Sequence, residues 1–382
     1  MVVKKLYTRV SCRERSKLQV NVLGKAQFKI FTPGPTKISD QILKIGSQQL
    51  PYNRTQDFSA LTYEIIDGLK YIFQTKEDVV ILTSSGTGAM EATVLNLLGR
   101  NDHVLIINGG TFGQRWVNLC KIHNIPHDEI KLNYGESLCI DLLSSKLSDS
   151  KYTSLLINAH ETSTGVLYDI ESIGELTNKH QVMFIVDGIS SICADPFLMD
   201  EWHVDVALLS SQKALALPPG LSFIALNEKA KEKIESIPVK SLYFDLLDYL
   251  KNQQRGQMPY TPAIGIFLML HERLKEIRRI GLDHLILKHE KLGKIFRESI
   301  KDLPLSILPE NPSNALTAVK CDERIDAIQL VQHMESKYDT YLASSGGDLK
   351  HKLFRVSHMG DQTEQDIELL INDLKNTISE EL

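Results

Sequence analysis

Cysteine is sparse in this chain. Its five cysteines (Cys12, Cys120, Cys139, Cys193, Cys321) are odd in number, and no two stand at the CxxC spacing of a zinc or redox site. That excludes a disulfide scaffold and leaves reduced thiols in a cytoplasmic protein as the natural reading. The twelve histidines contain no HExxH, so no metal site is expected. Long apolar runs are also missing. Val104-Leu105-Ile106-Ile107 is typical of the longest, far short of a membrane span. No apolar h-region follows the early lysines, which argues against a secretory signal. A basic excess is absent too: the formal net charge is -5, and nothing in it suggests nucleic acid.

What remains is the composition of an ordinary globular chain, 42% hydrophobic and 24% charged over 382 residues, long enough for two domains. Residues 1–30 form a basic arm in which Lys4, Lys5, Arg9, Arg13, Arg15 and Lys17 face only Glu14. Transit peptides are similarly rich in arginine and poor in acid. A solvated arm lying across a partner subunit is the preferred reading.

From about residue 78 to 226, short apolar runs alternate with helical stretches. The runs are Val79–Leu82, Val104–Ile107, Leu155–Ile157, Met183–Val186, Val204–Leu208 and Phe223–Ala225. Near-continuous apolar strands separated by helices are covered on both faces, so the pattern predicts an α/β domain with a mostly parallel sheet in α/β/α layers. Its expected span is 31–265. The texture changes after residue 265: a charged helical stretch from His271 to Arg297, a proline-rich break, a strand at Leu316–Lys320, a helix around Ile325–Tyr338 and a final amphipathic helix after Gln362. Residues 266–382 are expected to form a smaller α+β domain.

In parallel sheets ligands bind beyond the carboxyl ends of the strands, and three such ends carry chemistry. After Leu82, Ser85-Gly86-Thr87 opens a helix whose first N–H groups are unpaired and could cradle a phosphate. The same residue types are also ordinary caps. Asp187 ends the Ile185–Val186 strand, where it could cap a helix, join an ion pair, or hold a proton on a heteroaromatic nitrogen. Lys213 follows Leu209-Ser210-Ser211-Gln212, beside the apolar Leu215-Ala216-Leu217-Pro218-Pro219-Gly220. A partly desolvated lysine has a lowered pKa and becomes a nucleophile toward aldehydes, whereas a solvated one is only surface charge. Together they supply a phosphate cradle, an acid for a ring nitrogen and a lysine for an aldehyde.

With these stretches, the chain from Thr32-Pro33-Gly34-Pro35 to Arg355 resembles the class V aminotransferases, nearest to their alanine–glyoxylate and serine–pyruvate branch. The shared motifs are Ile65–Thr75, Ser85-Gly86-Thr87, Phe112-Gly113-Gln114-Arg115, His160–Gly165, Val186-Asp187, Ser211–Leu215 and Pro218-Pro219-Gly220. The resemblance implies an aspartate-aminotransferase-like fold of type I, with pyridoxal 5'-phosphate as cofactor. It implies a Schiff base on Lys213, Asp187 against the ring nitrogen, and Ser85, Gly86, Thr87 and Gln212 on the phosphate. Thr162 would sit near the ring's phenolic oxygen, and Phe112 would stack on the ring unless it is only a core residue. Arg355 would grip the substrate carboxylate, a structural ion pair being the alternative. Thr261, and Tyr260 with it, would reach the phosphate of a neighbouring subunit in a homodimer with shared sites. The family tyrosine stands three residues before its threonine, whereas Tyr260 is adjacent, and a hinge whose threonine caps a helix is the other reading.

The implied activity is ping-pong transfer of an amino group from a small amino acid, of alanine or serine type, to a small 2-oxo acid such as glyoxylate or pyruvate. The rival readings are a 2-aminoethylphosphonate–pyruvate aminotransferase, a lyase of the cysteine-desulfurase type and a non-catalytic partner subunit.

Overall fold

The structure is a computed structural model and describes residues 28–381. The basic arm expected at 1–30 therefore lies almost wholly outside the described residues. Seven strands form the central sheet: β1 (Asp78–Leu82), β2 (Val104–Asn108), β3 (His127–Lys131), β4 (Ser154–Asn158), β5 (Met183–Asp187), β6 (Val206–Ser210) and β7 (Ser222–Leu226). Their spatial order is β1-β7-β6-β5-β4-β2-β3. The contacts along β3-β2-β4-β5-β6 are parallel, and β7 runs antiparallel to both β6 and β1. Apart from β3, whose residues are mostly part-exposed, and the first residue of β1, every strand residue of this sheet is buried. Such strands must be covered on both faces, and helices such as Gln56–Phe73, Gly86–Leu97 and Thr111–Ile122 provide the cover.

Every expected strand of the large sheet is present. The sequence pattern did not reveal β3, because an edge strand pairs on one side only and can be as polar as His127-Asp128-Glu129. The stretch His271–Arg297 is two helices, Ile264–Ile280 and Leu282–Ser299, divided at Gly281. Its φ of 88° lies in the left-handed region that an L side chain resists, which stops the first helix.

Near the C-terminus, Leu305–Ile307, Leu316–Cys321, Leu353–Ser357 and Ala343–Ser344 pair as a four-stranded antiparallel sheet. The helices Ala327–Tyr338 and Glu364–Glu381 accompany it. The buried apolar residues fall into two main clusters, which divide differently from the expected cut at 265. Phe267, Leu270, Leu274 and Leu285 pack with the large sheet, while Leu292 and Phe296 pack with the small one. The change thus falls inside the helix Leu282–Ser299. Phe31 also joins the C-terminal cluster, because Lys29–Ile30 pairs in parallel with Thr340–Tyr341. Where the two parts meet, the buried Asp195 accepts hydrogen bonds from Ser313 Oγ (2.6 Å) and Asn314 N (2.8 Å). None of the helices among the described residues is long and apolar enough to cross a membrane.

Candidate active site

Because β1, β2, β4, β5 and β6 all run in one direction, their carboxyl ends share an edge of the sheet. One cavity at that edge is lined by Ser85, Gly86, Thr87, Phe112, Thr162, Asp187, Gln212 and Lys213, together with Arg115, Ile189 and Ser190. Two larger clefts, of about 330 and 380 Å³, lie elsewhere: in the first, Lys229 is already ion-paired with the buried Asp205 (3.0 Å), and no lysine lines the second. Chemistry rather than size selects the site.

The cavity begins at the helix Gly86–Leu97. Ser85 precedes it in extended conformation, and its side chain makes no capping hydrogen bond. The Ser85 carbonyl already receives Gly88 N (2.8 Å) and Ala89 N (3.2 Å), so the N–H groups of Gly86 and Thr87 point outward from the helix end. Across from them, Asp187 ends β5 and is 5% exposed. Its Oδ2 accepts from Asn158 Nδ2 (2.6 Å) and its Oδ1 from Ile189 N (2.9 Å). Burial lifts the carboxyl to about 6, against the opposing pull of the Ile189 N–H, the Arg115 charge and Asn158. A cationic partner is what such a carboxylate lacks.

Lys213 sits on the turn after β6. Ser211 ties that turn shut, its hydroxyl donating to Pro218 O (2.7 Å) and accepting from Leu221 N (3.3 Å). Thr36 Oγ1 donates to Lys213 O (2.9 Å) from the N-terminal side. Gly34 covers the amine so closely that a Cβ there would stand 2.8 Å from Nζ. Desolvation, helped by the Arg355 and Arg115 charges and opposed by Asp187, lowers the ammonium to about 8.

The other wall carries Thr162, whose hydroxyl meets Ser190 Oγ at 2.6 Å. Phe112 is the second residue of the helix Thr111–Ile122. The buried Glu161 holds that helix start, accepting from Phe112 N (3.1 Å), Gly113 N (2.9 Å) and Ser163 Oγ (2.5 Å). Arg355 lies on the strand Leu353–Ser357, just outside the inner lining, and reaches it through a neighbour. Its Nη1 donates to Thr162 O (3.1 Å) and its Nη2 to Ser344 O (2.9 Å), leaving a buried Nε without a partner. No carboxylate is within ion-pair distance of it among the described residues, so the structural ion pair is not what is found.

Tyr260 and Thr261 do not join this cavity. The Tyr260 hydroxyl donates to Leu242 O (2.7 Å), and its ring stacks on Tyr243 with centroids 5.3 Å apart. Thr261 is exposed.

Pyridoxal phosphate fits the residues present. The outward N–H groups and Ser85 hydroxyl suit a phosphate, and the buried Gln212 Oε1 and Ser210 Oγ have no partner among the described residues. Asp187 awaits a protonated nitrogen.

A profile of the family described as aminotransferase class-V matches residues 46–370. The chain belongs to the class V aminotransferases. It is 34% identical over 351 residues to a serine–glyoxylate aminotransferase of Arabidopsis thaliana, covering 89% of this chain and 88% of that one. It is 32% identical over 360 residues to a protein of Anabaena cylindrica named soluble hydrogenase 42 kDa subunit, covering 93% and 94%. Among solved structures, an alanine–glyoxylate aminotransferase from Nostoc sp. superposes with a TM-score of 0.90 at 27% identity, covering 96% of this chain and all of that one. The class V aminotransferase is therefore a pyridoxal-phosphate-dependent transaminase of fold type I, as the motifs implied.

Three residues of this aminotransferase site are not marked by the sequence motifs. Ile189 lies so close to Gly86 that a Cβ there would be 2.4 Å from its Cδ1, which places it against the phosphate turn. Ser190 pairs with Thr162, and Asn158 holds Asp187. The last had a signal, since a polar residue ends the apolar strand β4 beside the acid that ends β5.

Proposed function

We propose that this class V aminotransferase moves the amino group of a small α-amino acid, of serine or alanine type, to glyoxylate or pyruvate. The observation that carries this reading is the buried Asp187 and the Lys213 amine in a single cavity, with the Arg355 guanidinium behind its Thr162 wall and close enough for its charge to act on Lys213. The serine–glyoxylate and alanine–glyoxylate relatives support the choice of substrates.

When bound, pyridoxal phosphate supplies an aldehyde for an amine and a protonated ring that draws electrons from the substrate α-carbon. Asp187, fixed by Asn158 and Ile189 N, keeps the proton on the ring nitrogen. Ser85, Gly86, Thr87 and Gln212 hold the phosphate. Phe112 and Ile189 confine the ring, and Thr162 with Ser190 attends its phenolic oxygen. Lys213, lowered to about 8, would anchor the cofactor's aldehyde carbon through Nζ, and its free amine would serve as the base that holds the substrate's α-proton. Arg355 offers its unpartnered Nε and an Nη edge to the substrate carboxylate, a fork suited to two parallel hydrogen bonds.

Two rival classes find no support at the site. Among the described residues no cysteine lines the cavity, as a desulfurase needs, and Cys321 is buried in a strand. Lys213, Asp187 and Arg355 are all in place, which a non-catalytic subunit would not require. Purified protein should be yellow with pyridoxal phosphate, and borohydride reduction followed by peptide mapping should put the label on Lys213. In single half-reactions, serine or alanine should bleach the chromophore faster than 2-aminoethylphosphonate. A label elsewhere ends the reading, and a faster phosphonate reverses the substrate ranking.

The same reading includes a homodimer with shared sites. Thr261 stands on the surface among exposed apolar groups: Leu242 (82% exposed), Tyr243, and Tyr52 (69% exposed). Arg54 ties the Tyr52 loop to this segment by donating to Met258 O (2.7 Å). Tyr243 donates to Thr83 O (3.0 Å), so this patch is continuous with the phosphate turn. A partner seated here places its Thr261 toward the neighbouring phosphate.

A further inference from the structure

Arg115 has a place in the cavity that the roles above leave unexplained. Its Nη1 donates to Thr87 Oγ1 at 2.8 Å, and its guanidinium lies 4.7 Å above the centre of the Phe112 ring. Among the described residues no carboxylate forms an ion pair with it. A half-buried guanidinium that serves only to pack a helix normally has a carboxylate or open solvent, because a charge without either is costly. This one faces a cavity instead.

Its bond to Thr87 has a directional consequence. Arginine has donors and no acceptor, so the Thr87 oxygen must accept. The single Thr87 hydroxyl proton is then free to point at another acceptor. Thr87 is the second residue of the helix Gly86–Leu97, where outward N–H groups and the helix dipole already favour an anion. A fixed cation, a turned hydroxyl and a helix start thus meet, and among the described residues no carboxylate is within ion-pair distance of that cation.

We propose that Arg115 is a positioning residue for the cofactor phosphate, turning the Thr87 hydroxyl toward it and supplying the counter-charge that the protein omits. The cation–π contact with Phe112 keeps the guanidinium over the ring side of the cavity, so one side chain registers phosphate and ring together. The inference rests on the reading that Ser85-Gly86-Thr87 holds the phosphate.

The test compares two ligands that differ only in that group. Apoprotein is titrated with pyridoxal phosphate and with pyridoxal, followed by absorbance and by protein fluorescence. Arg115→Gln should raise the Kd for pyridoxal phosphate about ten- to hundred-fold, the span expected for hydrogen bonds to a charged group. Its Kd for pyridoxal should change by less than about threefold, because that ligand has no phosphate to lose. Arg115→Lys, which keeps the charge but not the fork, should recover part of the loss. Adding Thr87→Val to Arg115→Gln should cost less than the two single losses combined, since the two residues act as one unit. Equal losses for both ligands would mark Arg115 as a packing residue and overturn the proposal, as would an Arg115→Gln variant with no loss for either. Wild-type protein that prefers pyridoxal phosphate strongly, with Arg115→Gln unchanged, removes this inference and leaves the phosphate turn standing. Wild-type protein that binds both ligands equally removes the turn and the inference together.

Discussion

The cavity has two walls of different construction. Its sheet-edge wall belongs to the large sheet, where Asp187 ends a fully buried strand and both carboxylate oxygens are hydrogen-bonded. Its other wall comes in part from the small C-terminal sheet through Arg355, which among the described residues bonds only to the carbonyls of Thr162 and Ser344. The first wall is rigid because a one-residue shift in a buried parallel strand would turn every side chain to the opposite face. The second is held by guanidinium–carbonyl bonds that a carboxylate can compete with. On the proposed roles, the cofactor's ring chemistry rests on the fixed wall, and contact with the substrate carboxylate rests on the wall that can adjust.

That contrast can be broken by mutation, beginning where the effect is greatest. Lys213→Ala should lower transamination roughly ten-thousand-fold or more, since both the anchor and the general base are lost. Asp187→Asn should cost about a hundred- to thousand-fold in kcat, the scale of removing one fixed electrostatic group from a reaction centre. Stopped-flow half-reactions would check both, and near-normal rates would deny the sheet-edge wall its role. Arg355→Ala should cost about 2–5 kcal/mol in kcat/KM for carboxylate substrates while the cofactor stays bound. If cofactor is lost from Arg355→Ala as readily as from Lys213→Ala, the two walls are not separable.

A pH series sharpens the same contrast. The nucleophile is the neutral amine, so capture of pyridoxal phosphate by apoprotein should accelerate with pH and level off above about 8. Between there and the ordinary lysine value of 10.5, folded apoprotein binds fewer protons than unfolded chain at Lys213, so stability rises with pH across that window. Below it the buried charge is a full cost. Lys213→Met should therefore stabilise apoprotein at pH 7, on the order of 1–3 kcal/mol, and the advantage should shrink by pH 10. Urea melts at the two pH values decide it. The smallest effect is expected at the surface: Thr261→Ala should weaken by about 1 kcal/mol the tightening of the dimer on cofactor binding. Sedimentation on dilution, with and without pyridoxal phosphate, reads that linkage directly.

Much of the sheet-edge wall is legible in the amino-acid sequence, because buried parallel strands are written as apolar runs and their ends as abrupt polar residues. Leu82 to Ser85, Val186 to Asp187 and Leu209 to Lys213 all show that break. The other wall is legible only through resemblance. Arg355 sits in Leu353-Phe354-Arg355-Val356, where alternation alone gives an ordinary exposed position of a strand. The edge strand β3 and the seam inside Leu282–Ser299 are hidden for a related reason: a strand paired on one side need not be apolar, and a helix can serve two cores along one amphipathic face.

By itself the sequence determined which functional groups the protein owns and that parallel strands would present them at one edge. Only the tertiary structure decided how those groups are paired. It gave Asp187 the amide of Asn158 and the N–H of Ile189, set Gly34 over the Lys213 amine, and left Arg115 against Thr87 without an ion-paired carboxylate among the described residues. Chain spacing cannot report this, because hydrogen bonds and ion pairs form within about 3–4 Å, and separate helix starts come that close only after the sheet has brought them to its edge.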